Sequence, residues 1–185
     1  MKNQTINLGS EVYVSDPCYT TDVWCMSKLT NVLPGKYQAS MPGTYESWGE
    51  RNTGIVVIHE DYVDKKKRWY HHGSIGVDSG QAGIFDAASY RNDEIAAGIT
   101  SPEVGFSLGR GKIEDGDIWY EKMCGFTLSD KAWGLYDQGI VSRSGMGDGS
   151  YNFYVQKDKG KIVGISIDFA ITPTQKAFME SLELV

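Results

Sequence analysis

Short apolar runs, many of them alternating with polar residues, recur along the chain and predict β-strands. Val12 and Val14 alternate with polar neighbours in 11–15, and 54–59 contains the continuous apolar run Ile55–Ile58, typical of a buried strand. The same criteria predict strands at 36–41, 68–77, 117–128, 139–142, 150–156 and 161–170. Segment 68–77 is the expected hairpin partner of 54–59, with the charged residues 64–67 at its tip.

Three segments predict peripheral helices instead. Residues 86–97 carry several alanines and charged residues, and Asp86 is a suitable N-cap. Thr172 followed by Pro173 is typical of the start of a helix over 174–184. Segment 20–29 is the third candidate. We therefore predict a mainly β (α+β) fold, an antiparallel sheet or β-sandwich with two or three peripheral helices.

Length and charge narrow the possible functions. A chain of 185 residues suits a single domain, 1–185. Eighteen basic and 24 acidic residues give a net charge of −6, which disfavours electrostatic binding to duplex nucleic acid or to an anionic membrane. The 22 glycines and the 12% aromatic content are consistent with short strands and tight turns.

The compartment is predicted from the cysteines and the first residues. Cys18, Cys25 and Cys124 make an odd number, and the chain starts without the apolar stretch of a secretory signal. No stretch of the sequence is apolar enough to span a membrane. We expect a cytoplasmic protein with reduced thiols.

A glycine-rich segment, 142–151, precedes two predicted strands joined by Asp158-Lys159-Gly160. A three-residue connection with glycine in the left-handed position would set Phe153 opposite Ile165. It would also set Ser150 opposite Asp168. This register predicts that Asp168 lies beside the loop that contains Asp148.

The loop itself has two interpretations. Asp148 would repel a bare phosphate, so the glycine-rich backbone is better suited to a hydroxyl, a cation or a phosphate bridged by a metal. Arg143, Ser150 and Tyr151 are neighbours that would line such a site. The alternative is an ordinary turn, with glycines for positive φ and Asp148 for a local hydrogen bond.

A second cluster follows the predicted strand 68–77. Asp78 and Ser79 stand among small residues, which allow close approach of a ligand. Gln81 can donate and accept at once, as the edge of a polar ring requires. Asp86 is either a metal ligand or a helix cap. His71 and His72 point to opposite faces of a regular strand, so one of them at most would face this site.

The N-terminal segment offers two more features. Asp16 before Pro17 is a candidate third carboxylate, although this pair commonly starts a turn. Five tryptophans supply either a stacking platform for a base or sugar or ordinary core packing.

Several short motifs resemble a known family. They are Gly-Val-Asp-Ser-Gly-Gln-Ala-Gly-Ile-Phe-Asp at 76–86, Gly-Asp-Gly-Ser-Tyr at 147–151, and the segment 158–169, with Leu-Pro-Gly-Lys-Tyr at 33–37 as a weaker match. Their order is similar to that of a bacterial and phage domain of unknown function, the DUF4241-type domain. The resemblance implies a β-rich architecture and directs attention to Asp78, Asp86, Asp148 and Asp168, without implying a reaction.

Three functions remain open. The first is a protein that binds a nucleotide-like signal, as a phage-encoded counter-defence protein would. The second is a metal-dependent hydrolase such as a phosphodiesterase, with a divalent cation on Asp78, Asp148 and Asp168 and a histidine beside them. The third is an immunity or inhibitor module that binds a protein. The candidate ligand-binding residues are Asp78, Ser79, Gln81, Arg143, Asp148, Ser150, Tyr151 and Asp168.

Overall fold

The structure, a computed structural model, describes residues 4–45, 51–103 and 114–169. Its strands are β1 (Thr5–Leu8), β2 (Val12–Ser15), β3 (Ser27–Leu29), β4 (Gly35–Ser40), β5 (Thr44–Tyr45), β6 (Arg51–Asn52), β7 (Gly54–His59), β8 (Trp69–Val77), β9 (Gln81–Asp86), β10 (Trp133–Tyr136), β11 (Gly139–Arg143), β12 (Gly149–Asp158) and β13 (Lys161–Asp168). Two α-helices, α1 (Asp93–Ala96) and α2 (Asp117–Thr127), and one 3₁₀ turn, Glu60–Tyr62, complete the described elements.

Two antiparallel sheets form the framework. The first sheet has six strands in the order β1-β4-β7-β13-β12-β8. The second has five strands in the order β10-β11-β9-β2-β3, and β5 and β6 form a separate pair. The prediction of a mainly β, antiparallel architecture with few helices is therefore confirmed.

The central strands β9 and β2 of the five-stranded sheet are buried on both faces because they separate two cores. Val12, Val14 and Ile84 face the first core, which lies between the two sheets. Tyr13 and Phe85, the intervening positions, face the second core, which α1 and α2 cover. Period-two alternation therefore buries every residue of β2 and β9, and the fold has a sheet–sheet–helix arrangement.

The prediction of a strand at 117–128 is wrong, because this segment forms α2. Trp119, Met123 and Phe126 pack into the second core at intervals of four and three residues, which is the spacing of one helix face. Ile118, Trp119 and Tyr120 follow one another without an intervening polar residue, so this short apolar run resembles a buried strand. Only the longer interval distinguishes the two structures.

The helix predictions also need correction. Asp86 ends β9, and its Oδ1 accepts from Ala88 N at 2.9 Å, so it caps a turn. The helix begins at Asp93 with Asn92 as its N-cap, because the side chain of Asn92 accepts from two backbone N–H groups. Segment 20–29 is not a helix: it contains turns followed by β3. The predicted helix at 174–184 lies outside the described residues.

The predicted strand pairings are partly wrong. Strands β7 and β8 are not hairpin partners, because β13 and β12 lie between them. In the β12–β13 hairpin, Asp158 lies opposite Lys161, one residue from the predicted register, and Phe153 lies opposite Ile167, two residues from it. The two-residue turn at Lys159-Gly160 and a bulge after Gln156 cause the difference. Beyond the bulge the shift is even, so the side chains of Phe153, Val155, Ile165 and Ile167 stay on their predicted face.

We expect the buried hydroxyl of Tyr136 to make stability sensitive to alkaline pH. Burial raises the pKa of Tyr136 from 10.0 to about 12, and the hydroxyl contacts Ser89 Oγ at 2.8 Å. The neutral phenol thus stabilises the fold below pH 10, and this contribution, about 3 kcal/mol, is lost as the pH rises through 12. Urea unfolding of Tyr136→Phe at pH 8 and pH 11.5 measures it.

At pH 8 the Tyr136→Phe variant is expected to be about 1–2 kcal/mol less stable than the parent, since Ser89 and the indole N–H of Trp119 lose a partner. At pH 11.5 the difference is expected to shrink or change sign. Equal differences at both pH values would show that Tyr136 ionises normally in the folded protein.

Candidate functional site

The two glycine-rich segments meet at one end of the six-stranded sheet. Strands β8 and β12 pair so that Gly149 lies opposite Val77 and Ser150 opposite Gly76. Asp148 and Asp78 are the next residues outward on their two strands, so the pairing places them across from each other. The backbone N–H of Ser144 donates to Gly80 O at 2.9 Å, which joins the loops a second time.

Asp16 connects the N-terminal turn to this site. Its side chain is fully buried, and its Oδ2 accepts from the backbone N–H groups of Asp78 at 2.9 Å and Ser79 at 2.7 Å. Its Oδ1 accepts from Ser79 Oγ at 2.6 Å and from Cys18 N at 2.8 Å. Four donors therefore surround one buried carboxylate, which holds the backbone of Asp78 in place.

Two further side chains fix the turn that follows Asp16. The hydroxyl of Tyr90 lies 3.1 Å from Asp16 O and 2.8 Å from Tyr19 O. Arg91 donates to Cys18 O at 3.3 Å and forms an ion pair of 3.2 Å with Asp117 at the start of α2. The turn and its neighbours are thus tied to the helical layer.

A groove of about 760 Å³ opens where these segments meet. Strand β8 contributes its floor, and the edges come from the turn after β2 and the loop before β12. Gly76 allows the segment after β2 to lie close to β8, because a Cβ at position 76 would lie only 2.9 Å from Cys25 Cβ. The lining residues are Tyr19, Val23, Trp24, Cys25, Ser74, Ile75, Gly76, Val77, Asp78, Asp148, Gly149 and Ser150.

Trp24 is the most unusual residue of this lining. Its side chain is 95% exposed, although tryptophan side chains are highly buried on average. Trp119, by contrast, is buried beside Tyr90 in the second core. Burial raises the pKa of neighbouring Tyr19, and hydrogen bonds with Cys25 and Asp78 raise it further. The Tyr19 hydroxyl is therefore a neutral donor beside the Asp78 carboxylate.

The charge of the groove is uniformly negative among its described lining residues. Asp78 and Asp148 are both exposed, and the lining contains no lysine, arginine or histidine. The hydroxyls of Ser74 and Ser150 add neutral polar groups on the floor. Such a surface attracts cations and hydroxyl donors and repels anions.

Three of the predicted ligand-binding residues, Asp78, Asp148 and Ser150, line this groove together. Ser79 lies next to it and is hydrogen-bonded to Asp16. Tyr151 points elsewhere, since its hydroxyl donates to Gly147 O at 2.8 Å and so supports the loop.

The remaining predicted residues lie away from the groove lining. Gln81 is buried, where its Oε1 accepts from Thr127 Oγ1 at 3.0 Å and its amide contacts Cys124. Arg143 is exposed at the end of β11. Asp168 lies opposite Gly54, and the two-residue change of register leaves it roughly 13 Å along the strands from the level of Asp78.

The carboxylates that converge therefore differ from those the hairpin argument placed together. The pairing of β8 with β12 brings Asp78 to Asp148, and a buried hydrogen-bond network adds Asp16. Among the residues that the structure describes, no group of three or more His, Cys, Asp or Glu side chains has an arrangement that could hold a metal ion.

Histidine and cysteine add little to the groove. His71 lies 3.2 Å from Asn152 Oδ1, and His72 packs against the Phe153 ring, both outside the lining. The cysteines are free thiols, and burial raises the pKa of Cys18 and Cys124, so both are protonated at neutral pH.

Within the described ranges, no helix is long and apolar enough to cross a membrane.

The sequence interpretation named Trp24 only as one of five candidate stacking tryptophans, within segment 20–29 that was predicted to be helical, and it did not select Tyr19. No local pattern marks one of five tryptophans as exposed. The Asp16-Pro17 pair did signal a turn, but its burial depends on partners more than 60 positions away.

Comparison with known proteins returned no match: no family model, no curated protein and no solved structure is similar to this chain. The resemblance to the DUF4241-type domain accordingly stays a prediction. The geometry of the groove is therefore the basis for the functional proposal.

Proposed function

We propose that this protein binds a small ligand and that the groove beside Trp24 is its binding site. The carrying observation is the 95% exposed Trp24 at the edge of a groove of about 760 Å³. That volume falls in the range of small-molecule sites, about 300–1,000 Å³. Stacking of a planar group on an aromatic side chain contributes about 1–3 kcal/mol.

The chemistry of the groove supports a base or sugar without phosphate groups better than the nucleotide expected from the sequence. A base or sugar would stack on Trp24 and donate hydroxyl or amino hydrogens to Asp78 and Asp148. Phosphate groups would be repelled by the same carboxylates unless a divalent cation lay between them. Sequestration of a signal in counter-defence is a prediction that depends on which ligand is found.

A thermal-shift screen of the full chain tests this proposal. The panel contains nucleosides, nucleotides, cyclic dinucleotides, ADP-ribose, sugars and amines, each with and without magnesium. A ligand at 100 times its dissociation constant adds about 2.7 kcal/mol of stability. We expect at least one hit, whose shift is lost in Trp24→Ala and in Asp148→Asn.

Asp64→Asn is the matched control, because Asp64 is also exposed but lies in the loop after the 3₁₀ turn, outside the groove lining. It should retain the full shift. A hit that survives both groove substitutions would place the binding site elsewhere. If no compound stabilises the chain, small-ligand binding is contradicted and the protein-binding module becomes the better hypothesis.

Chromatography of the hit after incubation separates binding from catalysis. Recovery of the unchanged compound supports a binding protein. Turnover that a chelator abolishes would instead support the metal-dependent hydrolase.

A further inference from the structure

We infer that the groove selects an organic cation, a small molecule whose amine or guanidinium group lies between Asp78 and Asp148 while its apolar part packs on Trp24. This inference rests on the proposed function and specifies the charge of the ligand. It departs from the phosphate-bearing ligand expected from the sequence.

The two carboxylates of the groove are arranged to share one cation. Asp78 and Asp148 follow the paired residues Val77 and Gly149, so they stand across from each other at the end of β8 and β12. Like charges directly opposite each other on neighbouring strands destabilise a sheet. A cation between the two carboxylates would convert this repulsion into two attractive contacts.

Among the described residues, the protein does not supply this cation itself. The ion pairs among the described residues join Lys28 to Glu11, His59 to Asp61, Lys67 to Asp158 and Arg91 to Asp117. Neither Asp78 nor Asp148 belongs to them. Both carboxylates are exposed, so they are accessible to a charged group that enters from solvent.

Trp24 favours a cationic ligand independently of the carboxylates. Tryptophan has the most favourable aromatic face for a cation, within about 6 Å of the ring centre. Most of its indole is accessible to solvent, and it lines the same groove as the two aspartates. An apolar chain or ring attached to the charged nitrogen would cover this surface.

The neutral groups of the groove fit the same ligand. Ser74 and Ser150 lie on neighbouring strands of the floor, between the carboxylates and the rest of β8. Their hydroxyl oxygens can accept from the additional N–H groups of an amine or guanidinium. A phosphate or carboxylate ligand would find hydroxyl donors here but no compensating positive charge.

The test compares isosteres that differ in charge. Phenethylamine and phenethylguanidine are titrated into the ¹⁵N-labelled full chain, with 2-phenylethanol as the neutral and phenylacetate as the anionic analogue. The readout is the indole N–H of Trp24, assigned with Trp24→Phe, together with the amides of Asp78 and Asp148. We expect both cations to bind at least tenfold more tightly than the alcohol, and phenylacetate not to bind.

Variants then identify the interacting groups. Asp148→Asn replaces an exposed carboxylate with an amide of the same shape, so the fold should persist and the amide spectrum verifies it. This variant should lose at least tenfold in affinity for phenethylamine but bind 2-phenylethanol as before. Trp24→Leu keeps an apolar surface and should still weaken cation binding. Asp64→Asn should change neither the affinity for phenethylamine nor that for 2-phenylethanol.

Each other outcome contradicts the inference in a recognisable way. If the alcohol or the anion binds the groove as well as the cations, the proposed binding function stands and cation selectivity is wrong. If magnesium or calcium alone shifts the same amides and excludes phenethylamine, the site is a metal site. If a lysine- or arginine-containing peptide binds while the small cations do not, the occupant is a protein. If nothing shifts the groove residues, both proposals fail.

Discussion

Replacing Asp16 with alanine is expected to lower the free energy of unfolding by about 3–5 kcal/mol, a large part of the stability of an ordinary domain. The substitution leaves four donors without an acceptor: the N–H groups of Cys18, Asp78 and Ser79 and the hydroxyl of Ser79. A hydrogen bond to a charged group contributes about 1.5–3 kcal/mol, and the removal of a buried charge offsets part of the sum. Urea unfolding measures the loss.

Asp16→Asn gives a graded comparison. Its remaining carbonyl can serve the donors at Oδ2, namely Asp78 N and Ser79 N, while its amide group faces Cys18 N without benefit. We expect about half the loss of the alanine variant. Asp64→Ala, at an exposed position, should change stability by less than about 0.5 kcal/mol.

Hydrogen exchange in Asp16→Asn distinguishes a local role from a general one. Because the carboxylate holds the backbone of the Asp78 segment, the amides of Asp78 and Ser79 should exchange faster, while those in the centre of β13 stay protected. Unchanged stability in Asp16→Ala would show that water satisfies the four donors and that Asp16 does not organise the groove.

Replacing Arg91 with methionine is expected to cost about 2–4 kcal/mol. The Arg91 side chain is 8% exposed, and its guanidinium pairs with Asp117 and donates to the carbonyls of Cys18 and Asp115. Methionine preserves the apolar stem but removes the ion pair between Arg91 and the mostly buried Asp117 carboxylate. Thermal and urea unfolding of the variant measure the cost.

Arg91→Lys is the conservative control for this prediction. Lysine retains a charge for Asp117 but cannot present the planar fork that reaches carbonyls on both sides, so an intermediate loss is expected. If methionine and lysine behave alike, the carbonyl contacts carry the effect and the ion pair does not. Methionine without any loss would contradict the role of Arg91 in holding the turn after Asp16.

Local sequence pattern determined most of the strands of this protein. Alternation and apolar runs identify β7 with its bounds and locate β2, β4, β8, β11, β12 and β13 to within three residues. The inward face of the β12–β13 hairpin was also predictable, because a shift by an even number of residues preserves the side-chain faces. These features follow from period-two geometry, which neighbouring residues specify by themselves.

Segment 117–127 shows where local pattern fails. Its mixture of Ile118, Trp119 and Tyr120 is compatible with a buried strand, and the segment is helical because one helix face packs Trp119, Met123 and Phe126 on the second core. The core that selects the helix comes from distant strands. Short apolar runs are therefore ambiguous until their packing surface is known.

Only part of the candidate site could be predicted from the sequence. Its glycine-rich loops and the residues Asp78, Asp148 and Ser150 stand out as motifs, because small residues and carboxylates are visible in the sequence. Their convergence depends on the pairing of β8 with β12, and the place of Trp24 depends on a turn that crosses the edge of β8.

The sequence by itself thus determined the β-rich class, the faces of its strands and the identity of several polar residues at the groove. The tertiary structure alone decided which strands are neighbours, which carboxylate is buried and which tryptophan is exposed. The physical reason is that strand order and burial arise from contacts between residues far apart in the chain, whereas alternation and turn chemistry act over a few residues.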